Sequence, residues 1–180
     1  DKRNTHSFPT RRSSDLQDEI ASVVIEQLKI RLLGNLAKTT ELDPKAYAFY
    51  LQANYFYQED SDEAIIKAED AIRQSIAIDS IYAPSWNLLS RIIRQSSFNL
   101  SQLPFKTGSE LAKSAAQKAI DLDDKYAPAY AILSILYLAD LEFKLAKENV
   151  NKAMKLDGGN ARVVSAAALN ACYSGRIEEA

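Results

Sequence analysis

One cysteine and one histidine in 180 residues leave little for most side-chain chemistry. Cys172 has no second cysteine for an internal disulfide and no co-ligands for zinc, so nothing points to an oxidising compartment. Its helix-face setting between Ala171 and Tyr173 makes it a small packing residue. The sole histidine, His6, lies in an unpatterned opening stretch, which removes the usual general base at neutral pH from the patterned part of the chain. Glycine and proline are scarce, five of each, and no phosphate-cradling loop, nucleophile elbow or His-based metal motif can be assembled. Long apolar runs are missing too. The longest, around Val163 to Cys172, is about ten residues, short of the roughly 18 a spanning helix needs. No secretory signal opens the chain. The expectation is a cytoplasmic protein that is not an enzyme, carries no cofactor or metal, and has no membrane partner.

What is present is a globular composition with 47% hydrophobic residues, enough for a core. Abundant alanine and leucine, with no alternating β-branched runs, predict an all-α fold. "HSFPTRRSSDL", His6 to Leu16, carries neither period, and written back into codons it resembles a sequencing-library adapter translated in one frame. Residues 1–16 are therefore read as a non-native artefact and left out of fold reasoning. They hold four of the 22 basic and two of the 24 acidic residues, leaving 18 against 22. The apparent basic arm disappears, and a mildly acidic body is a poor nucleic-acid binder.

Residues 17–44 read as one amphipathic helix and a linker. Ile20, Val24, Leu28 and Leu32 form a stripe at i, i+4 spacing, Asp18 and Glu19 occupy the first turn, and Gly34 marks the end. Beyond "LDP" at Leu42 to Pro44, "AYAFYLQANYFY" and "SDEAIIKAEDAIRQSIAI" read as two helices joined by the acidic turn "QEDSD", with Ser61 or Asp62 available to cap the second.

Internal repeats organise the rest. "YAPSWNLLSRII", from Tyr82, and "YAPAYAILSILY", from Tyr126, share Tyr-Ala-Pro and Leu-Ser in register, and matching helix ends, "AIRQSIAIDS" and "AAQKAIDLDD", precede them. "AKENVNKAMKLDGGNARVVSAAAL" continues the series. These residues resemble the tetratricopeptide repeat, a helix–turn–helix unit of about 34 residues. Residues 45–180 then make an array of about three to four repeats, the last truncated. The resemblance puts bulky residues at Trp86 and Tyr130, leucines at Leu89 and Leu133, and small residues at Ser90, Ser134 and Ala168. Alanines on the second helices are Ala112 with Ala119, and Ala146 with Ala153. The physical reason is close approach: small residues let antiparallel helices touch, large ones fill the seam, and stacking buries each pair's open face as an antiparallel helix-pair solenoid.

Two departures stand out. The family's proline after the second helix is replaced by Ser80, Asp124 and Gly158, all turn-compatible. The copy from Ala83 to Tyr126 is about ten residues longer than the family unit, and the excess around "SSFNLSQLPFKTG" reads as a loop, with Pro104 and Gly108 separating the helices. The copy from Ala46 to Tyr82 is degenerate.

The resemblance implies a concave groove lined by first helices. Its expected residues are Pro84, Asn87, Arg91, Arg94 and Gln95, then Pro128, Ala131, Ile135, Leu138 and Ala139, then Arg162, Ser165, Leu169, Cys172 and Tyr173. Of these, Asn87, Arg91, Arg94, Gln95, Ile135, Leu138, Arg162 and Leu169 are the candidate partner-binding residues. A peptide with an acidic group near Arg91 and Arg94 and an apolar anchor near Ile135 and Leu138 fits that wall. Equally, the arginines are solvated and the apolar residues pack on a neighbouring segment. The Lys and Asn pattern that clamps a peptide's terminal carboxylate is not present. The junction of 17–34 with the array is similar to one in large bacterial signalling proteins, where repeats follow a cyclase, kinase or DNA-binding domain. It implies a fragment that binds a protein or self-associates, or else the non-catalytic region of an enzyme, or a spacer.

Overall fold

The computed structural model describes residues 42–59, 61–99, 104–173 and 175, with the backbone alone at 98 and 99. The opening stretch, the expected helix over 17–34 and the chain beyond Gly175 lie outside the described residues. Residues 42–180 form one compact unit by themselves. Its helices run in the order α1 (Pro44–Gln58), α2 (Asp62–Ile78), α3 (Ala83–Asn99), α4 (Phe105–Leu122), α5 (Ala127–Ala139), α6 (Phe143–Asp157) and α7 (Ala161–Tyr173). There is no strand among the described residues.

Local chemistry sets the helix ends. Pro44 opens α1, and Asp43 caps it, Oδ1 accepting from the backbone N–H of Lys45 and Ala46 at 2.8 and 3.2 Å. "LDP" is thus a helix start and not linker. Ser61 caps α2, its Oγ accepting from Ala64 N–H at 3.2 Å. The missing prolines are replaced by two devices, each used twice. Asp79 and Asp123 end α2 and α4, and each carboxylate accepts from the backbone N–H two residues on, at 3.0 Å. Then Trp86 Nε1 donates to Ser80 O at 2.8 Å, and Tyr130 Oη donates to Asp124 O at 3.0 Å. The bulky residue of each repeat therefore ties down the carbonyl of the residue standing where the family has proline.

Packing follows the repeat. Each odd-numbered helix up to α5 packs antiparallel on the helix after it, and each even-numbered one leads onto the next pair. Ala53, Ala68, Ala112, Ala116, Ala146 and Ala153 are fully buried or nearly so where helices meet. Around them Ile65, Ile72, Leu88, Ile92 and Leu136 fill the seams. Burying one such aliphatic side chain is worth about 1.5–3 kcal/mol, so the repeated seam dominates the stability of the array. Ser90 meets Ala112 as expected, donating to its carbonyl oxygen at 2.7 Å. Ser134 and Ala146 are both completely buried. The Ser134 hydroxyl turns back to Ala131 O at 2.8 Å and accepts from Asn170 Nδ2 at 3.2 Å, which joins α5 to α7.

The long repeat is not mainly a loop. Helix α3 has 17 residues against 13 in α5, and α4 has 18 against 15 in α6, so seven of the ten extra residues lengthen the hairpin. Gly108 lies inside α4 and does not separate helices. It is buried against Ser97, where a Cβ would fall 1.8 Å from Oγ and 2.5 Å from Cβ. This glycine is a contact point that lets the extended hairpin close.

Candidate functional site

A cavity of about 320 Å³ opens on the face formed by the first helices of successive repeats. No second helix contributes to it. Tyr57 comes from α1, Arg91 and Arg94 from α3, Pro128, Ala131, Ile132 and Ile135 from α5, and Ala161, Arg162 and Ser165 from α7. Arg91 and Arg94 lie one turn apart on α3, and Arg162 reaches the same cavity from the first turn of α7. The array thus gathers three guanidinium groups over an apolar floor supplied by α5.

No acid among the described residues neutralises the arginines. Among the described residues the ion pairs join Lys67 to Glu63, Arg73 to Glu69, and Lys113 to Asp140 and Glu142, none of them on this face. The Arg91 guanidinium lies over the Tyr57 ring, 4.4 Å from its centroid. Burial pulls its pKa below the usual arginine value, with Arg162 adding repulsion, although an arginine stays charged at neutral pH. Arg94 Nε is buried without a hydrogen-bond partner. Leaving such a donor unmet costs about 1–3 kcal/mol.

Tyrosines flank the arginines. Tyr47 stacks on Tyr50 at 5.9 Å, and both meet the edge of Tyr82, at 6.3 and 5.3 Å between centroids. Burial raises the Tyr50 and Tyr126 pKa values, while Arg91 and Arg162 pull both back. These phenols are neutral at physiological pH and keep their O–H donors.

Of the candidate residues, Arg91, Arg94, Ile135 and Arg162 line the cavity, together with Pro128, Ala131 and Ser165 from the wider set. Asn87 and Leu138 do not, and both are buried elsewhere in the array. The reason in Leu138's case is that α5, "APAYAILSILYLA", is apolar all round, so its pattern does not distinguish core from groove. The apolar wall consists of Ile132 and Ile135 with Pro128 and Ala131, in place of the expected Ile135 and Leu138. Gln95 and Leu169 are half-buried and outside the cavity lining, and Cys172 is exposed. Tyr57 is the residue that sequence reasoning missed. It stands in α1 at the register of Arg94 in α3, a correspondence hidden by the degeneracy of the earliest copy.

Among the described residues, no cluster of three His, Cys, Asp or Glu side chains is placed to hold a metal, and no helix is long and apolar enough to cross a membrane.

No family model matches the chain. A 57-residue segment, 32% of the chain, is 39% identical to the type IV pilus assembly protein PilF of Pseudomonas aeruginosa, and spans only 23% of that relative. The thermophilic TPR protein TTC0263 of Thermus thermophilus superimposes with a TM-score of 0.67 at 19% identity, covering 95% of this chain and 84% of that one. The first TPR domain of Spaghetti (RPAP3), bound to an HSP90 peptide, superimposes with a TM-score of 0.58 at 16% identity over 78% of this chain and 99% of that one. With these likenesses, the paired helices and the Ser90–Ala112 contact, the chain has the fold of the tetratricopeptide repeat: an all-α helix-pair solenoid.

Proposed function

We propose that the array is a protein-interaction scaffold that holds a peptide segment of its partner along the first-helix face and has no catalysis of its own. The observation that carries this reading is the cavity built from α1, α3, α5 and α7 alone, with cations from α3 and α7 on either side of aliphatic groups from α5. An extended segment satisfies both, because alternate side chains point to opposite sides. The RPAP3 domain of the same fold holds a peptide from HSP90, which supports a peptide occupant here. A cytoplasmic setting within a larger bacterial regulator, with signalling domains elsewhere in the parent protein, fits this non-catalytic role.

Selection of random displayed dodecapeptides on the full chain tests the reading. Ser165 is exposed and lines the cavity, so Ser165→Trp fills the groove from its rim without touching the core. Enriched peptides that bind wild type and lose at least tenfold in affinity on Ser165→Trp, at an unchanged melting temperature, are expected. Absence of enrichment, or binders indifferent to the substitution, would refute the groove as the binding surface.

A further inference from the structure

Three arginines that share one cavity with no carboxylate among the described residues set a charge requirement beyond that of a general peptide groove. We infer that the Arg91, Arg94 and Arg162 cluster is a receptor for a phosphoryl group carried on a peptide side chain, with Ile132 and Ile135 seating an apolar neighbour. The inference rests on the groove reading above and deepens it.

The argument is one of charge and shape. Three guanidinium groups reach one cavity from two helices, and they repel one another, as the effect of Arg162 on Arg91 shows. A single carboxylate offsets one charge. Two carboxylates on an extended segment do not converge, since adjacent side chains point to opposite sides and those on the same side are about 7 Å apart. A phosphoryl ester brings about −1.5 to −2 charge and three acceptor oxygens in one compact group. Guanidinium edges pair with such oxygens two bonds at a time.

Arg94 gives an independent sign. Its Nε–H is buried and has no acceptor, although nearly all buried donors in folded proteins are satisfied. A torsion of the side chain turns the Nε–Nη edge onto an oxyanion in the cavity and meets that demand. The Tyr57 ring lies under Arg91, and the phenols of Tyr50 and Tyr126, their pKa values raised by burial, bring no competing negative charge. Charge balance also decides the kind of occupant. The chain carries net charge −2, so no overall cationic field accompanies this cavity. That disfavours an extended polyanion and favours one phosphoryl group on an otherwise ordinary segment.

Three pentapeptides test this on the full chain by isothermal titration: acetyl-Leu-Ala-X-Ala-Leu-amide with X as phosphoserine, glutamate or serine. The Arg94 Nε–H resonance is followed in parallel while inorganic phosphate is added. The expected result is binding of the phosphoserine peptide at least tenfold tighter than the glutamate peptide, with the serine peptide weaker again. Phosphate should also displace the Arg94 signal. Arg94→Gln and Arg162→Gln should each cost tenfold or more for the phosphoserine peptide alone, and Arg162, being exposed, gives a variant whose folding is not in question. If glutamate or serine binds as well as phosphoserine, the phosphoryl inference is overturned and the groove reading stands. If phosphate moves Arg94 but no peptide binds, the peptide-borne part is overturned. If neither peptide nor phosphate has any effect, and the displayed peptides also fail, both readings fall together.

Discussion

Adding one methyl group at Gly108 tests whether the lengthened hairpin closes through direct helix contact. An alanine Cβ there would sit 1.8 Å from Ser97 Oγ and 2.5 Å from Ser97 Cβ. Rotating the serine clears the hydroxyl only by breaking its 2.8 Å bond to Ile93 O. Rotation does nothing for the two Cβ atoms, which are fixed to their backbones, so α3 and α4 must separate by about 1 Å to reach ordinary carbon contact. Overpacking of this kind costs about 1–3 kcal/mol. The exchange of glycine for alanine inside a helix returns about 1 kcal/mol. Contact with a Cβ puts the clash at the upper end of its range, and the net expectation for Gly108→Ala is a loss of about 1–2 kcal/mol. Ser97→Gly in the same chain removes both obstructing atoms, so the double variant should show a favourable coupling of about 2 kcal/mol. Urea unfolding followed by circular dichroism at constant m reads both quantities. A Gly108→Ala protein as stable as wild type, or more so, would refute close approach as the reason for this glycine.

Three further outcomes are expected. Leu136→Ala, at a side chain only 1% exposed in the main core cluster, should cost about 2–5 kcal/mol in the same assay; a loss under about 1 kcal/mol would contradict its place in the seam. Tyr130→Phe removes the hydroxyl that ties Asp124 O and should cost about 0.5–1.5 kcal/mol, while hydrogen exchange quickens at the α4–α5 turn; unchanged exchange there would sink the tether argument. Asp140 is pushed up by burial, but hydrogen bonds from Lys113 and Ser109 outweigh this and hold its carboxyl below the usual aspartate value. The folded state therefore binds this proton less readily than the unfolded one. Its stabilisation is fully present above the ordinary aspartate pKa and is lost as pH falls through the lowered folded value. Asp140→Asn should melt lower than wild type at neutral pH, with the gap closing below about pH 4; a gap that stays constant through acid would refute the linkage.

The repeat, the all-α class and most helix positions were legible in the sequence because they depend on local chemistry. Alanine and serine at fixed spacing mark where backbones touch, and Ser61 caps a helix as its sequence suggests, whereas Asp43 with Pro44, read as linker, starts one. The repeat register also placed Arg91, Arg94 and Arg162 on first-helix groove positions, but that Arg162 shares one cavity with the other two comes from the structure. Three things depended on the tertiary structure. The extra residues of the second repeat became helix, because Gly108 and Ser97 pack and make longer helices possible where breaker residues suggested a loop. Ile132 took Leu138's place in the cavity, because a helix apolar on every side acquires an inside only from its neighbours. Tyr57 joined the arginines across α1 and α3, and Arg94 Nε was left without an acceptor. Spacing along a chain reveals which residues share a helix face, but which polar atoms find partners is settled only when separate helices are brought together.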